Sequence, residues 1–152
     1  MRVSKKIIKI AIVLILLVES GYLLYDIFSK GKKAENENGK WFCVGEVGEF
    51  ERGKIYPFNS EKFYLSVLED GGMLAVSIKC THLGCSVEAH DEGFLCPCHG
   101  SEFDKYGMVT EPPATRALDI FPIKIENGKI YVKTNDPIKR ETFNKSQLTY
   151  AE

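Results

Sequence analysis

Six residues able to ligate metal crowd into two short stretches of this chain. The first is Cys80-Thr81-His82-Leu83-Gly84-Cys85. The second, after ten intervening residues, is Cys96-Pro97-Cys98-His99-Gly100-Ser101. Thiolates and imidazoles are the ligands of zinc and of iron–sulfur clusters. A tetrahedral zinc site would use four of the six. It could take four cysteines and leave both histidines idle, or two of each and leave two cysteines idle. The second partition gives each loop one cysteine and one histidine, as C-x-H and C-x-x-H. That set also suits a two-iron cluster with two thiolates on one iron and two imidazoles on the other. Cys85 and Cys98 are then left over, and they read as equivalent places in the two loops. Gly84 and Gly100 supply the backbone freedom for a tight bend around metal.

The two motifs together resemble the cluster loops of Rieske iron–sulfur proteins, and more specifically those of the quinol-oxidising cytochrome bc1/b6f-type complexes. The resemblance spans about residues 41–133. It implies a Rieske [2Fe–2S] cluster held by Cys80, His82, Cys96 and His99, and a Cys85–Cys98 disulfide bracing the loops. It also implies that Ser101 bonds a bridging sulfide and that Glu111-Pro112-Pro113-Ala114 is the proline loop covering the cluster's third side. One departure stands out. The family often has tyrosine where this chain has Phe103. Donors to sulfur stabilise the reduced cluster and raise its potential. Phe103 cannot donate, so a lower potential is expected, suited to a low-potential quinol such as menaquinol.

The activity implied by the resemblance is electron transfer from a membrane quinol to a cytochrome c-type haem. The quinol hydroxyl would bond the free imidazole nitrogen of His99 or His82, most naturally His99. The implied partners are a cytochrome b-type subunit, a cytochrome c-type haem protein and the quinol, within a multi-subunit, dimeric assembly. Two other readings fit the same motifs. One is the small Rieske subunit of another membrane oxidoreductase, of the arsenite-oxidase kind. The other is a free-standing membrane-anchored electron carrier.

Elements must hold these loops apart and in register. From Trp41 onward the pattern is short apolar runs separated by turns, the mark of an all-β sandwich or small barrel. Strands are predicted at Trp41–Val47, Phe63–Leu68 and Met73–Ile78, the last running straight into the first loop. A hairpin is predicted from Ile120–Ile125 through Asn127-Gly128 to Ile130–Lys133. The fold expected is therefore an antiparallel Rieske-type β-sandwich with a small cluster-binding subdomain over 41–134. The polar tail, 135–152, is expected to be loosely ordered.

Ahead of this lies a different composition. Arg2, Lys5, Lys6 and Lys9 lead into an apolar stretch from about Ile7 to Phe28, with Ile10 to Val18 unbroken. At about 1.5 Å per residue that stretch covers about 33 Å, enough for a hydrocarbon core of roughly 30 Å. A cleaved signal would need small residues after the run, and Glu19-Ser20-Gly21-Tyr22 is a poor match. The expectation is an uncleaved transmembrane anchor over 1–28 and a flexible hinge over 29–40. Glu19 near the midplane would face protein rather than lipid. A disulfide belongs in an oxidising compartment. The mild basic bias of the N-terminal flank agrees. The expected location is the cytoplasmic membrane, single-pass, with the cluster domain on the outer, periplasmic side.

The remaining composition excludes little. A net charge of −1 and 27% charged residues give no reason to expect nucleic acid. His90, among Glu88, Asp91 and Glu92, reads as a solvated loop residue. Cys43, between Phe42 and Val44, reads as a buried small hydrophobe.

Overall fold

The computed structural model describes residues 41–151 and, ahead of them, residues 18 and 19, which are helical. Apart from those two positions, the expected anchor over 1–28 and the hinge over 29–40 lie outside the described residues, as does residue 152. Among the described residues, no helix is long and apolar enough to cross a membrane.

Eleven strands follow: β1 Trp41–Glu46, β2 Ile55–Phe58, β3 Phe63–Val67, β4 Met73–Ser77, β5 Glu88–His90, β6 Gly93–Leu95, β7 Glu102–Asp104, β8 Val109–Glu111, β9 Ile120–Phe121, β10 Ile123–Glu126 and β11 Lys129–Lys133. They form three antiparallel sheets, in the orders β1-β11-β10, β2-β3-β4-β9 and β5-β6-β7-β8. The first two sheets are the base. The third, with its loops, is the cap.

Strands β3 and β4 are the middle layer. Every residue of both is buried. Alternation sends Phe63, Leu65, Val67, Met73 and Ala75 toward the β1-β11-β10 sheet, where they meet Ile130 and Val132. The opposite face, with Tyr64, Leu74 and Val76, packs on cap residues Val87, Phe94, Phe103, Cys80 and Cys96. The base core is rich in aromatic pairs. Phe58 stacks on Phe63 with centroids 4.9 Å apart, and Phe42 meets Phe63 edge-on at 6.2 Å.

The predicted hairpin forms, with one difference. Asn127 and Gly128 take φ of 51° and 73°, the left-handed pair that a two-residue turn matching strand twist requires. The run Ile120–Ile125, however, is two strands rather than one. Pro122 has no N–H to continue a ladder. The chain changes sheets there: β9 pairs with β4, and β10 pairs with β11.

The tail is not loosely ordered. Ile138 exchanges backbone hydrogen bonds with Ile120 at 2.7 and 3.1 Å, and Thr149 exchanges two with Met73 at 2.9 and 3.1 Å. A 3-10 turn at Lys145–Gln147 is capped by the Asn144 side chain. A polar sequence hides this order because the partners are backbone groups at sheet edges and a single buried side chain, Arg140.

Candidate metal centre

Strand β4 delivers the first loop and β6 the second. The two loops share one backbone design. In the first, the Cys80 N–H donates to the Cys85 carbonyl at 2.8 Å and the Gly84 N–H to the Cys80 carbonyl at 3.0 Å. In the second, the Cys96 N–H donates to the Ser101 carbonyl at 2.8 Å and the Gly100 N–H to the Cys96 carbonyl at 2.9 Å. Gly84 and Gly100 hold φ of 85° and 76°, which side-chain-bearing residues rarely adopt. This matching corrects one expectation. Cys85 is the counterpart of Ser101, and Cys98 is the counterpart of His82. The two spare cysteines therefore do not occupy equivalent places.

They nevertheless meet. Cys85 and Cys98 form a disulfide across 13 positions of sequence, with Cα atoms 6.6 Å apart. Closing a loop of this length stabilises by about 3 kcal/mol in the chain-entropy account. The Cys96 sulfur lies within 4.8 Å of both disulfide sulfurs. The bond consumes two of the four clustered thiols, so a four-thiolate site is removed. The thiols left in the loops are Cys80 and Cys96, both buried.

What remains suits a binuclear cluster. His82 and His99 stand edge to face with ring centroids 5.0 Å apart. His99 is exposed and His82 half-buried. The His82 Nδ1 is buried and has no hydrogen-bond partner among the described residues. A buried imidazole nitrogen without a partner is costly unless it ligates something. Burial pushes the Cys80 thiol up, and its nearness to Cys96 pushes the same way. The His82 backbone N–H and the Ser101 hydroxyl pull it back by bonding the sulfur. Two buried free thiols and an unpartnered ring nitrogen are groups that a binuclear centre would satisfy, the thiolates on one iron and the imidazoles on the other. Cys80, Cys96, His82 and His99 would hold a [2Fe–2S] cluster with one thiolate and one imidazole from each loop.

The surrounding shell is built from later segments. Ser101 is fully buried, and its Oγ accepts from the Ala114 N–H at 3.0 Å. Thr81 Oγ1 donates to the Arg116 carbonyl at 2.8 Å. The proline loop, with a cis peptide between Pro112 and Pro113, therefore touches the second cluster loop through Ala114, and the segment just after it touches the first through Arg116. Arg116 pairs with Asp119, which raises the guanidinium's proton affinity. Phe103 is buried beside Phe94 in the cap core and offers no donor.

Two residues stand elsewhere. His90 ends strand β5, exposed, and its Nδ1 accepts from the Glu92 N–H at 3.3 Å, away from the loops. Cys43 is exposed, not buried. In β1 the side chains alternate, and Phe42 and Val44 take the core face, so Cys43 must point outward. The sequence reading also overlooked Leu83, which is 72% exposed beside His82. An apolar residue among small and polar loop neighbours was the available signal.

Comparison with known proteins agrees with this geometry. A family model for the Rieske [2Fe-2S] domain matches residues 40–122. A cytochrome b6-f complex iron-sulfur subunit of Chlorobaculum tepidum is 45% identical over 83 residues, covering 53% of this chain and 45% of that protein. The namesake subunit of Prochlorococcus marinus is 33% identical over 113 residues, covering 68% and 62%. The chain thus spans about half to three fifths of the curated relatives it matches. Among solved structures, a quaternary ammonium Rieske monooxygenase superposes with a TM-score of 0.56 at 14% identity, over 69% of this chain and 35% of that one. At that identity the likeness concerns the fold alone. The match over most of the β-domain and the paired, disulfide-linked loops lead to one conclusion: this chain belongs to the Rieske [2Fe-2S] domain family.

Proposed function

We propose that this chain is the iron–sulfur subunit of a cytochrome b6f- or bc-type complex, passing single electrons from a membrane quinol toward a c-type haem. The observation that carries this reading is the disulfide-braced pair of loops ending in an exposed histidine, His99. The names of the relatives, iron-sulfur subunits of the cytochrome b6-f complex, support it.

When bound, the cluster supplies a one-electron acceptor behind the imidazoles. The chain's own residues do the rest. His82 would hold the metal through its buried Nδ1, which would leave the other side of its half-buried ring toward the surface. His99 presents its outer nitrogen to solvent, where it accepts a hydrogen bond from a quinol hydroxyl and then its proton. Leu83, exposed beside the histidines, gives the tip an apolar surface that excludes water when a partner covers it. The Cys85–Cys98 disulfide and the proline loop hold the two histidines at fixed separation. The absence of a donor at Phe103 favours the reduced state less than tyrosine would, which suits menaquinol. The disulfide argues for a cluster domain outside the cytoplasmic membrane.

Purification of the native protein from its membrane tests this. Co-purifying b- and c-type haem, with quinol-dependent haem reduction that disappears in His99→Ala, is the expected result. A molybdopterin-containing partner, or isolation with no haem protein at all, would contradict it.

A further inference from the structure

Arg140 is the one buried charged side chain among the described residues, 6% exposed. It comes from the C-terminal segment. Its Nε donates to the Leu118 carbonyl at 2.7 Å, and Nη1 donates to Gln147 Oε1 at 2.9 Å. Nη2 donates to the Tyr106 carbonyl. Burial pulls this guanidinium down to about 10, against the opposing pull of Asp104 and Asp119, so it stays charged at neutral pH. No carboxylate bonds it directly among the described residues. A cation buried against carbonyls is an expensive way to fill space, and an apolar side chain would do that better. Its rigid fork instead sets the separation of the groups it bonds.

Those groups sit just beyond the metal centre. Tyr106 lies in the turn between β7 and β8, three residues past Phe103. Leu118 lies two residues past Arg116. Just upstream of Leu118, the same segment holds both loops: the Ala114 N–H donates to Ser101 Oγ, and the Arg116 carbonyl accepts from Thr81 Oγ1. The turn also plugs into the base, where buried Ser66 donates to the Lys105 carbonyl at 2.7 Å and Lys105 Nζ donates to the Gly53 carbonyl at 2.8 Å. The tail adds Phe143, its ring tilted against Tyr106 with centroids 4.6 Å apart and its N–H on Met108 Sδ at 2.9 Å. Gly107 leaves the room required: a Cβ there would come within 2.7 Å of Arg140 Nη2.

We propose that Arg140 is a positioning residue of the electron-transfer site, a pin by which the C-terminal segment locks the β7–β8 turn and the segment after the proline loop together, and so holds both cluster loops closed. This rests on the loops being the metal centre. A polar tail outside the strands is thereby part of the site's machinery.

The test uses the full chain carrying its cluster, as wild type, Arg140→Gln, Arg140→Lys and Gly107→Ala. The last keeps the charge but crowds the guanidinium and strains the β7–β8 turn, where Gly107 holds a φ of 73°. Loss of the visible cluster spectrum to a chelator is timed well below thermal unfolding. Amide exchange is followed at Ser101, Phe103 and Leu118 in the cap region and at Leu65 and Val76 in the base, and the reduction potential is recorded. The expected result is cluster loss on the order of tenfold faster in Arg140→Gln and Gly107→Ala, through opening of the cap alone. Exchange should rise at the cap-region amides and not at Leu65 or Val76, the potential should shift, and Arg140→Lys should recover part of the wild-type behaviour. Unchanged cluster loss, or exchange rising equally in β3 and β4, would overturn the proposal. If Arg140→Gln does not fold, Arg140→Lys decides it: faster cluster loss with exchange rising only at the cap-region amides supports the pin, and wild-type behaviour overturns it. A wild-type chain that takes up no iron would instead refute the metal centre, and the exchange comparison would still judge the pin.

Discussion

The base and the cap are both antiparallel sheet, yet different forces hold them. The base is held by apolar packing: β3 and β4 are buried throughout, and phenylalanines from four strands or their neighbours stack and meet edge-on across one core. The cap strands β5 to β8 have three residues each. Their outer row, Glu88, Leu95, Glu102 and Glu111, is exposed and carries like charges on adjacent strands β7 and β8. One face of small strands cannot supply a full core. The cap borrows the back of β3 and β4, closes its loops with a disulfide, and takes hydrogen bonds from the proline loop and the tail. A region held this way has few apolar contacts of its own to resist opening, so its ligand groups are fixed by cross-links rather than by burial alone.

That contrast can be broken by removing one support at a time. The largest effect should come from Cys96→Ala. It should abolish iron binding altogether while circular dichroism and the exchange protection of Leu65 remain, because the base does not depend on metal. Loss of the whole fold would show that the two regions are not separable. Leu65→Ala attacks the base instead. Leu65 is fully buried, and its truncation should cost about 3 kcal/mol in denaturant unfolding. The cluster's electron resonance signal should be unchanged in the molecules that remain folded. A shifted signal would mean that base packing reaches the metal.

The smallest expected effect is the most specific. Phe103→Tyr adds one hydroxyl to a ring in the cap core. One hydrogen bond to sulfur of roughly 1 kcal/mol corresponds to about 40 mV for a single electron. The potential should rise by about that amount in a redox titration. A variant that folds, keeps its cluster and does not shift would remove the link drawn between Phe103 and a low-potential quinol.

The same division explains what could be read from the sequence. Most base strands announced themselves through β-branched and aromatic runs, and Asn127-Gly128 named its own turn; β2, Ile55–Phe58, was missed, because it is four residues long and Pro57 interrupts it. The metal loops were legible because cysteine and histidine at that spacing have few other uses. The cap strands were not legible. Glu88-Ala89-His90 and Glu102-Phe103-Asp104 are too short and too polar to show a period, and they become strands only because the loops they flank are tied together. Pro122 as a sheet-changing point was visible only as a residue unfit for a ladder. Arg140 carried no local signal, because two of its three partners are backbone carbonyls more than twenty residues away and the third is one glutamine in a polar tail. The outward face of Cys43 follows from the alternation that places Phe42 and Val44 inside, so it could have been deduced from its neighbours.

The central claim is that two imidazoles and two thiolates, one of each per loop, share a binuclear iron cluster beside the Cys85–Cys98 bond. Pulsed electron resonance on the reduced full-length chain tests it most directly, together with iron and acid-labile sulfide analysis. The account predicts two irons and two sulfides per chain and nitrogen couplings from two imidazoles, both lost along with the cluster in His82→Ala and in His99→Ala. A single zinc per chain, or a cluster signal without nitrogen coupling, would contradict it.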